Sequence, residues 1–343
     1  MTARPLPSDP AEPPRRPGPP GAAPQASPWS DAPPPQPPRD DLSPLAESEV
    51  LRPRADRPRT GWRRTLFELT GGRVNPGPGS GEVRREELLG RIRTPLPGAH
   101  RVAVTSVKGG VGKTTVSACL GLTLAEHRGD RAIVLDANPD AGTLADRLTG
   151  DARVTVRELL DDLDDVATWT DVSRYTSLAG RLQVLASEQD PASGDAFRRD
   201  EYEAVSDLLG RFFNIIVTDS GTGLVHSAME GTLARADSVV VVGAPTVDGA
   251  GRAAKTLDWL VAHGHAGLAR DAVVVLSCDR RSAEVDVSRI RDHFRSRVRT
   301  VVEIPHDPHL ATGGRIDPAR LRPATSDAFL ELAAAVADDF AGR

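Results

Sequence analysis

From residue 99 onward, short apolar runs alternate with longer stretches in which apolar residues recur every three or four positions. The runs fall at 102–105, 132–135, 182–186, 213–218, 238–243 and 272–277, with a weaker one at 300–304. They are nearly continuous in Val and Ile, which marks strands buried on both faces rather than half-exposed ones. The stretches at 116–127, 201–211, 224–234, 247–262, 287–297 and 325–340 carry helical spacing. Strand and helix in turn predict an α/β fold, with a doubly wound, mostly parallel sheet and helices on both faces. Ligands of such sheets bind beyond the carboxyl ends of the strands, so the polar residues found there are the first candidates for chemistry.

The run at 102–105 leads into Lys108-Gly109-Gly110-Val111-Gly112-Lys113-Thr114-Thr115, and the helical stretch follows at once. Glycines allow successive backbone N–H groups to turn inward around an anion, and the helix behind them presents its positive end. Lys113 then meets the β- and γ-phosphates and Thr114 ligates Mg²⁺. A strict Walker A string would also carry Gly at 107, where this chain has Val.

Two further strands end in carboxylates. The run at 132–135 is followed by Asp136, Asn138 and Asp140, and the run at 213–218 by Asp219. A carboxylate at a buried strand tip beside a phosphate loop can hold Mg²⁺ or orient a nucleophile, as in a Walker B strand. Asp140 reads equally as a helix cap, because a helix could begin at 141. Gly221 and Gly223 read as a loop able to sense the γ-phosphate, and Leu224 to Leu233 as the helix it moves.

KGGVGKTT, with its additional lysine at the start, resembles the deviant Walker A group of MinD/ParA-type ATPases, a P-loop NTPase-type fold. The resemblance implies ATP and Mg²⁺ as cofactors, hydrolysis of the β–γ phosphoanhydride, and a homodimer that forms on ATP binding. Within it Lys108 is the cation that reaches the partner's phosphates, as an arginine finger does. Asp136 takes the place of the first carboxylate of the group's Asp-x-Asp pattern, and Asn138 replaces the second, which positions water. Asparagine orients water by hydrogen bonding but is no general base, so either turnover is slow or Asp140 substitutes as the catalytic carboxylate. Related proteins often read the purine with an Asn where this chain has Asp279, and Pro305 begins a stretch that resembles their loop over the base. A proline-rich arm, Thr60-Gly-Trp-Arg-Arg64, the phosphate loop and Pro305-His-Asp-Pro-His309 together resemble the EspI-like ATPases of type VII (ESX) secretion loci. That implies a protein partner, a secretion machine, reached through the arm or connector.

Composition divides the chain into three parts. Eighteen of its 29 prolines precede residue 60, so residues 1–58 cannot bury enough apolar surface to offset their ordering entropy and are expected to be a disordered tail. Residues 59–98 form a basic connector, in which arginines interleave with Trp62, Leu66, Phe67 and Leu69 and short helices are expected. Such a segment suits a membrane surface, nucleic acid, a partner protein, or docking onto its own domain. Residues 99–343 are the ATPase domain. No apolar stretch is long enough for a signal peptide or a membrane span, and the two cysteines form no metal motif, which points to the cytoplasm. The alanine-rich, acidic end of the chain makes C-terminal membrane anchoring a poor fit, leaving indirect or weak membrane contact. The arginines at 289, 291, 295, 297 and 299 read first as a solvated helix face. Nonspecific DNA binding, as in a ParA-like partitioning ATPase, is the second reading, and a nucleotide-binding adaptor without significant turnover is the third.

Overall fold

The computed structural model describes residues 57–58, 61–138, 142–150, 154–187, 197–221, 227–278 and 284–341. Eight strands form one sheet: β1 (His100–Thr105), β2 (Ala132–Ala137), β3 (Ser177–Ala179), β4 (Leu182–Leu185), β5 (Ile215–Ser220), β6 (Ser238–Gly243), β7 (Val273–Ser277) and β8 (Thr300–Ile304). Their order is β3-β4-β2-β5-β1-β6-β7-β8, parallel throughout except for β3, which runs antiparallel to β4. Each apolar run noted in the sequence falls on one of these strands. β3 has no such signature: it is three residues long, lies at the sheet edge and leaves Leu178 60% exposed, so no inward face had to be written into it.

The sheet is buried on both faces, and β2 shows why its run is continuous. Val134 faces a cluster that also holds Val104, Val217 and Val240, whereas Ile133 and Leu135 face the opposite one with Ile216, Tyr202 and Leu209. A third cluster, of Val239, Val241, Leu257 and Phe294, extends that second layer. At roughly 25 cal/mol per Å² of apolar surface, these layers are the main favourable term in folding.

The first layer contains the helix behind the glycine loop (Lys113–His127), the carboxy-terminal helix (Pro323–Ala337) and the helix Ser80–Ile92, which contributes Leu88 and Ile92. The carboxy-terminal helix buries all of Leu332–Ala337 and is a core element. Its remaining acids meet arginines of Ser80–Ile92: Arg84 with Glu331 at 3.0 Å, Arg85 with Asp327 at 3.2 Å, and Arg91 with Asp338 at 2.6 Å just beyond the helix end. These pairs are solvent-exposed and add orientation more than stability. The helix Gly61–Leu69 buries none of its residues, and Trp62 and Leu69 stand in solvent. Among the described residues, no helix is long and apolar enough to cross a membrane.

Candidate functional site

The parallel register brings the chemistry together. Asp136, near the end of β2, lies directly beside Asp219 of β5, and Asp219 is level with Val104 of β1, the strand that feeds the glycine loop. In that loop Gly110 and Gly112 adopt φ of 72° and 93°, a left-handed backbone that favours glycine. Gly112 is also crowded from β7, since a Cβ there would stand 3.3 Å from Ser277 Oγ. The helix begins at Lys113, a lysine only 8% exposed.

Lys113 lies within electrostatic reach of both carboxylates. Burial pushes its ammonium below the usual lysine range, and the charges of Asp219 and Asp136 partly restore it. Burial likewise raises Asp219, against hydrogen bonds from the Thr114 and Ser117 hydroxyls, the latter at 2.9 Å, and the charge of Lys113. Asp136 is pushed up to about 7, by burial first and by Asp219 second, although it accepts from the Asn138 amide at 3.1 Å and the Leu144 amide at 3.2 Å. Two adjoining buried carboxylates and one lysine leave an acidic excess suited to a divalent cation. The backbone closes tightly over Asp136: a Cβ on Gly142 would lie 1.9 Å from Asp136 Oδ2, so any side chain at 142 would force the site apart.

A cavity of about 410 Å³ opens from the glycine loop, large enough for a small-molecule ligand. Gly110 to Val116 form one wall, while Pro305, His306 and Phe329 lie among the other lining residues. Asp307, at the foot of that wall, caps the helix Pro308–Ala311 and accepts from the His309 and Arg322 amides, each at 2.9 Å, which fixes the Pro305 loop. Asn138 sits beside Asp136, but Asp140, Asp279 and Gly223 lie outside the described residues. The helix expected at 224–233 is observed at Ser227–Arg235.

Lys108 pairs with Asp248 at 2.7 Å, at the start of the helix Val247–Ala262. Gly109 beside it is exposed. One cavity residue escaped sequence reasoning: Arg147, in the short helix Leu144–Leu148, donates from Nη2 to Thr115 Oγ1 at 3.2 Å. A five-residue helix shows no period, and a single arginine in it carries no motif.

The arginines at 289–299 are neutralised locally. Arg289 meets Asp286 at 3.4 Å, Arg291 meets Glu303 at 3.0 Å, Arg295 meets Asp292 at 3.7 Å, Arg299 meets Asp339 at 2.5 Å, and Arg297 pairs with Asp258.

Residues 102–319 match the CobQ/CobB/MinD/ParA nucleotide binding domain. The chain is 36% identical over 289 residues to the ESX-1 secretion-associated protein EspI of Mycobacterium tuberculosis, an overlap of 82% of this chain and 43% of that protein. It therefore spans less than half the length of that relative. Against the septum site-determining protein MinD of Escherichia coli it is 30% identical over 149 residues, 43% of this chain and 54% of MinD. The fold is shared with a ParA family ATPase from Chlorobium tepidum, at TM-score 0.59 and 17% identity over 68% of this chain and 98% of that one. It is shared also with MinD of Pyrococcus horikoshii, solved with Mg-ADP, at TM-score 0.56 and 24% identity over 68% of this chain and 94% of that one.

Proposed function

This chain belongs to the CobQ/CobB/MinD/ParA nucleotide-binding domain family, and from that premise we propose that it is a Mg²⁺-ATP-dependent switch. It dimerises on ATP, hydrolyses it slowly and so regulates or positions a protein partner. The observation that carries the reading is a buried lysine within electrostatic reach of two adjoining buried carboxylates, at the end of a left-handed glycine turn and beside a cavity of about 410 Å³. The residues fit the cofactor. Main-chain amides of Gly109 to Lys113 would cradle phosphate, Lys113 would bind its outer oxygens, and Thr114, Asp136 and Asp219 would hold magnesium. Bound magnesium supplies neutralising charge across the outer phosphates.

Asn138, next to Asp136, would orient a water by hydrogen bonding without accepting its proton, and that residue type supports slow turnover. The same residue favours a second reading, a nucleotide-binding adaptor with no real turnover. The local ion pairs of the arginines at 289–299 weigh against nonspecific DNA binding, because those charges already have partners. Likeness to a secretion-associated protein supports a partner in a type VII secretion machine, met through the tail at 1–58 or the connector at 59–98, with the ATPase at 99–343 working in the cytoplasm.

Nucleotide binding, phosphate release and dimer formation, measured with Mg²⁺-ATP, test this. Lys113→Ala is expected to lower nucleotide affinity at least 100-fold. Lys108→Ala is expected to retain affinity while weakening dimerisation and turnover; equal loss of binding in both variants would remove the trans role of Lys108. No phosphate release with DNA, liposomes or a secretion partner present would favour the adaptor.

A further inference from the structure

Arg147 is a partly buried cation whose charge no carboxylate answers among the described residues. Burial holds its guanidinium below the usual arginine range. Its Nη2 donates to the Thr115 hydroxyl at 3.2 Å, and its buried Nε has no partner. A buried Nε without a partner is not unusual by itself, since Arg291 and Arg299 show the same. Those two, however, deliver their terminal nitrogens to Glu303 at 3.0 Å and Asp339 at 2.5 Å. Among the described residues Arg147 has only a neutral hydroxyl, and it lines the same cavity as the glycine loop.

Withdrawing a cation from water without a counter-ion is costly, and a fold keeps such a group where an anion will meet it. Asp146, its neighbour in the short helix, is exposed, and the Arg147 carbonyl is held by the Ile316 amide at 2.7 Å. The side chain is thus carried by a segment anchored through its backbone. The placement also selects among the phosphates. Lys113 lies within electrostatic reach of Asp136 and Asp219, the carboxylates that suit the metal and outer phosphates, whereas Thr115 is the last residue of the loop string. Loop amides cradle the inner phosphates.

We propose that Arg147 binds the α-phosphate of the nucleotide, with Thr115 orienting its guanidinium. The inference rests on the nucleotide-binding reading above. The contact is common to di- and triphosphate, so it sets affinity for both nucleotide states and leaves discrimination between them to Lys113 and the metal. Arginine suits this role because its planar fork can bond Thr115 with one arm and phosphate oxygens with another.

The test is calorimetric titration of ADP and ATP, with Mg²⁺, into the full chain, its Arg147→Ala variant and its Arg147→Lys variant, alongside thermal unfolding of each without nucleotide. Arg147→Ala is expected to weaken ADP and ATP by the same factor, about 10- to 100-fold, the worth of a charge-assisted hydrogen bond. Arg147→Lys, which keeps the charge but loses the fork, is expected to recover part of that affinity. Unchanged affinities would overturn the proposal, as would loss for ATP alone, which would mark a γ-phosphate contact. Should Arg147→Ala unfold at a lower temperature, the lysine variant decides: wild-type affinity at wild-type stability means a purely structural arginine. If the unaltered chain binds neither nucleotide, the reading of the whole site fails, and it fails visibly apart from any effect of Arg147.

Discussion

Both ends of the sheet bury polar and charged side chains, yet they treat them in opposite ways. At the amino ends of β1 and β6, His100 and Ser238 meet at 2.8 Å, Ser238 donates to Asp339 at 2.7 Å, and Asp339 pairs with Arg299 at 2.5 Å. Arg299 also donates to the Ala335 carbonyl at 2.9 Å, and the His100 ring packs edge-on against Phe340. The charged groups named there have partners from the fold, and burial pushes the His100 imidazole below the usual histidine range. At the carboxyl ends, Asp136 and Asp219 lie side by side within the electrostatic reach of one lysine, and among the described residues Arg147 has no counter-charge. A closed network ties the carboxy-terminal segment to the sheet. An unbalanced one costs stability and is retained for what it binds.

Removing charge should therefore have opposite signs at the two ends. Asp339→Ala strands Arg299 and is expected to cost about 2–4 kcal/mol in denaturant unfolding, with nucleotide affinity unchanged within about twofold. A small cost would show the amino end to be no better balanced than the other.

Asp136→Asn is expected to stabilise the nucleotide-free protein by about 1–2 kcal/mol at pH 8 while abolishing magnesium-dependent hydrolysis. The pH dependence follows from the raised value of about 7 in the fold, against about 3.9 in an unfolded chain. A carboxyl raised by folding contributes stability that is complete below the unfolded value and is lost as pH rises through the folded one. The advantage of the variant over wild type should thus grow from about pH 4 and level off above about pH 7. An advantage independent of pH would mean that Asp136 is ionised throughout, and the contrast between the two ends would weaken.

The smallest effect belongs to Lys108, whose pairing with Asp248 is exposed on both sides. Lys108→Ala is expected to change unfolding stability by less than about 0.5 kcal/mol. A larger loss would make that pair a structural contact rather than a lysine held loosely for another role.

Much of this was legible along the chain because the signals are local. A strand covered on both faces must be apolar at every position, so the runs at 132–135 and 238–243 could hardly be anything else. The glycine loop announces itself because its backbone geometry restricts residue type. β3 and the short helices Val156–Asp161 and Trp169–Arg174 left no such mark, since three to six residues cannot display a period. The carboxy-terminal acids read as a solvated surface in one dimension, although three of them answer arginines of Ser80–Ile92, more than 240 positions away.

Local order thus settled the kind of fold, the position of the glycine loop and the carboxylates at the strand ends, because strand burial, backbone handedness and strand-tip placement act within a few residues. Packing alone decided that Asp136 and Asp219 stand in register, that Lys108 pairs with Asp248, and that Arg147 reaches the cavity with the Thr115 hydroxyl and, among the described residues, no carboxylate beside it. Each of those facts is a distance between residues remote in the chain, and the energy of a charge depends on which neighbours the fold puts beside it.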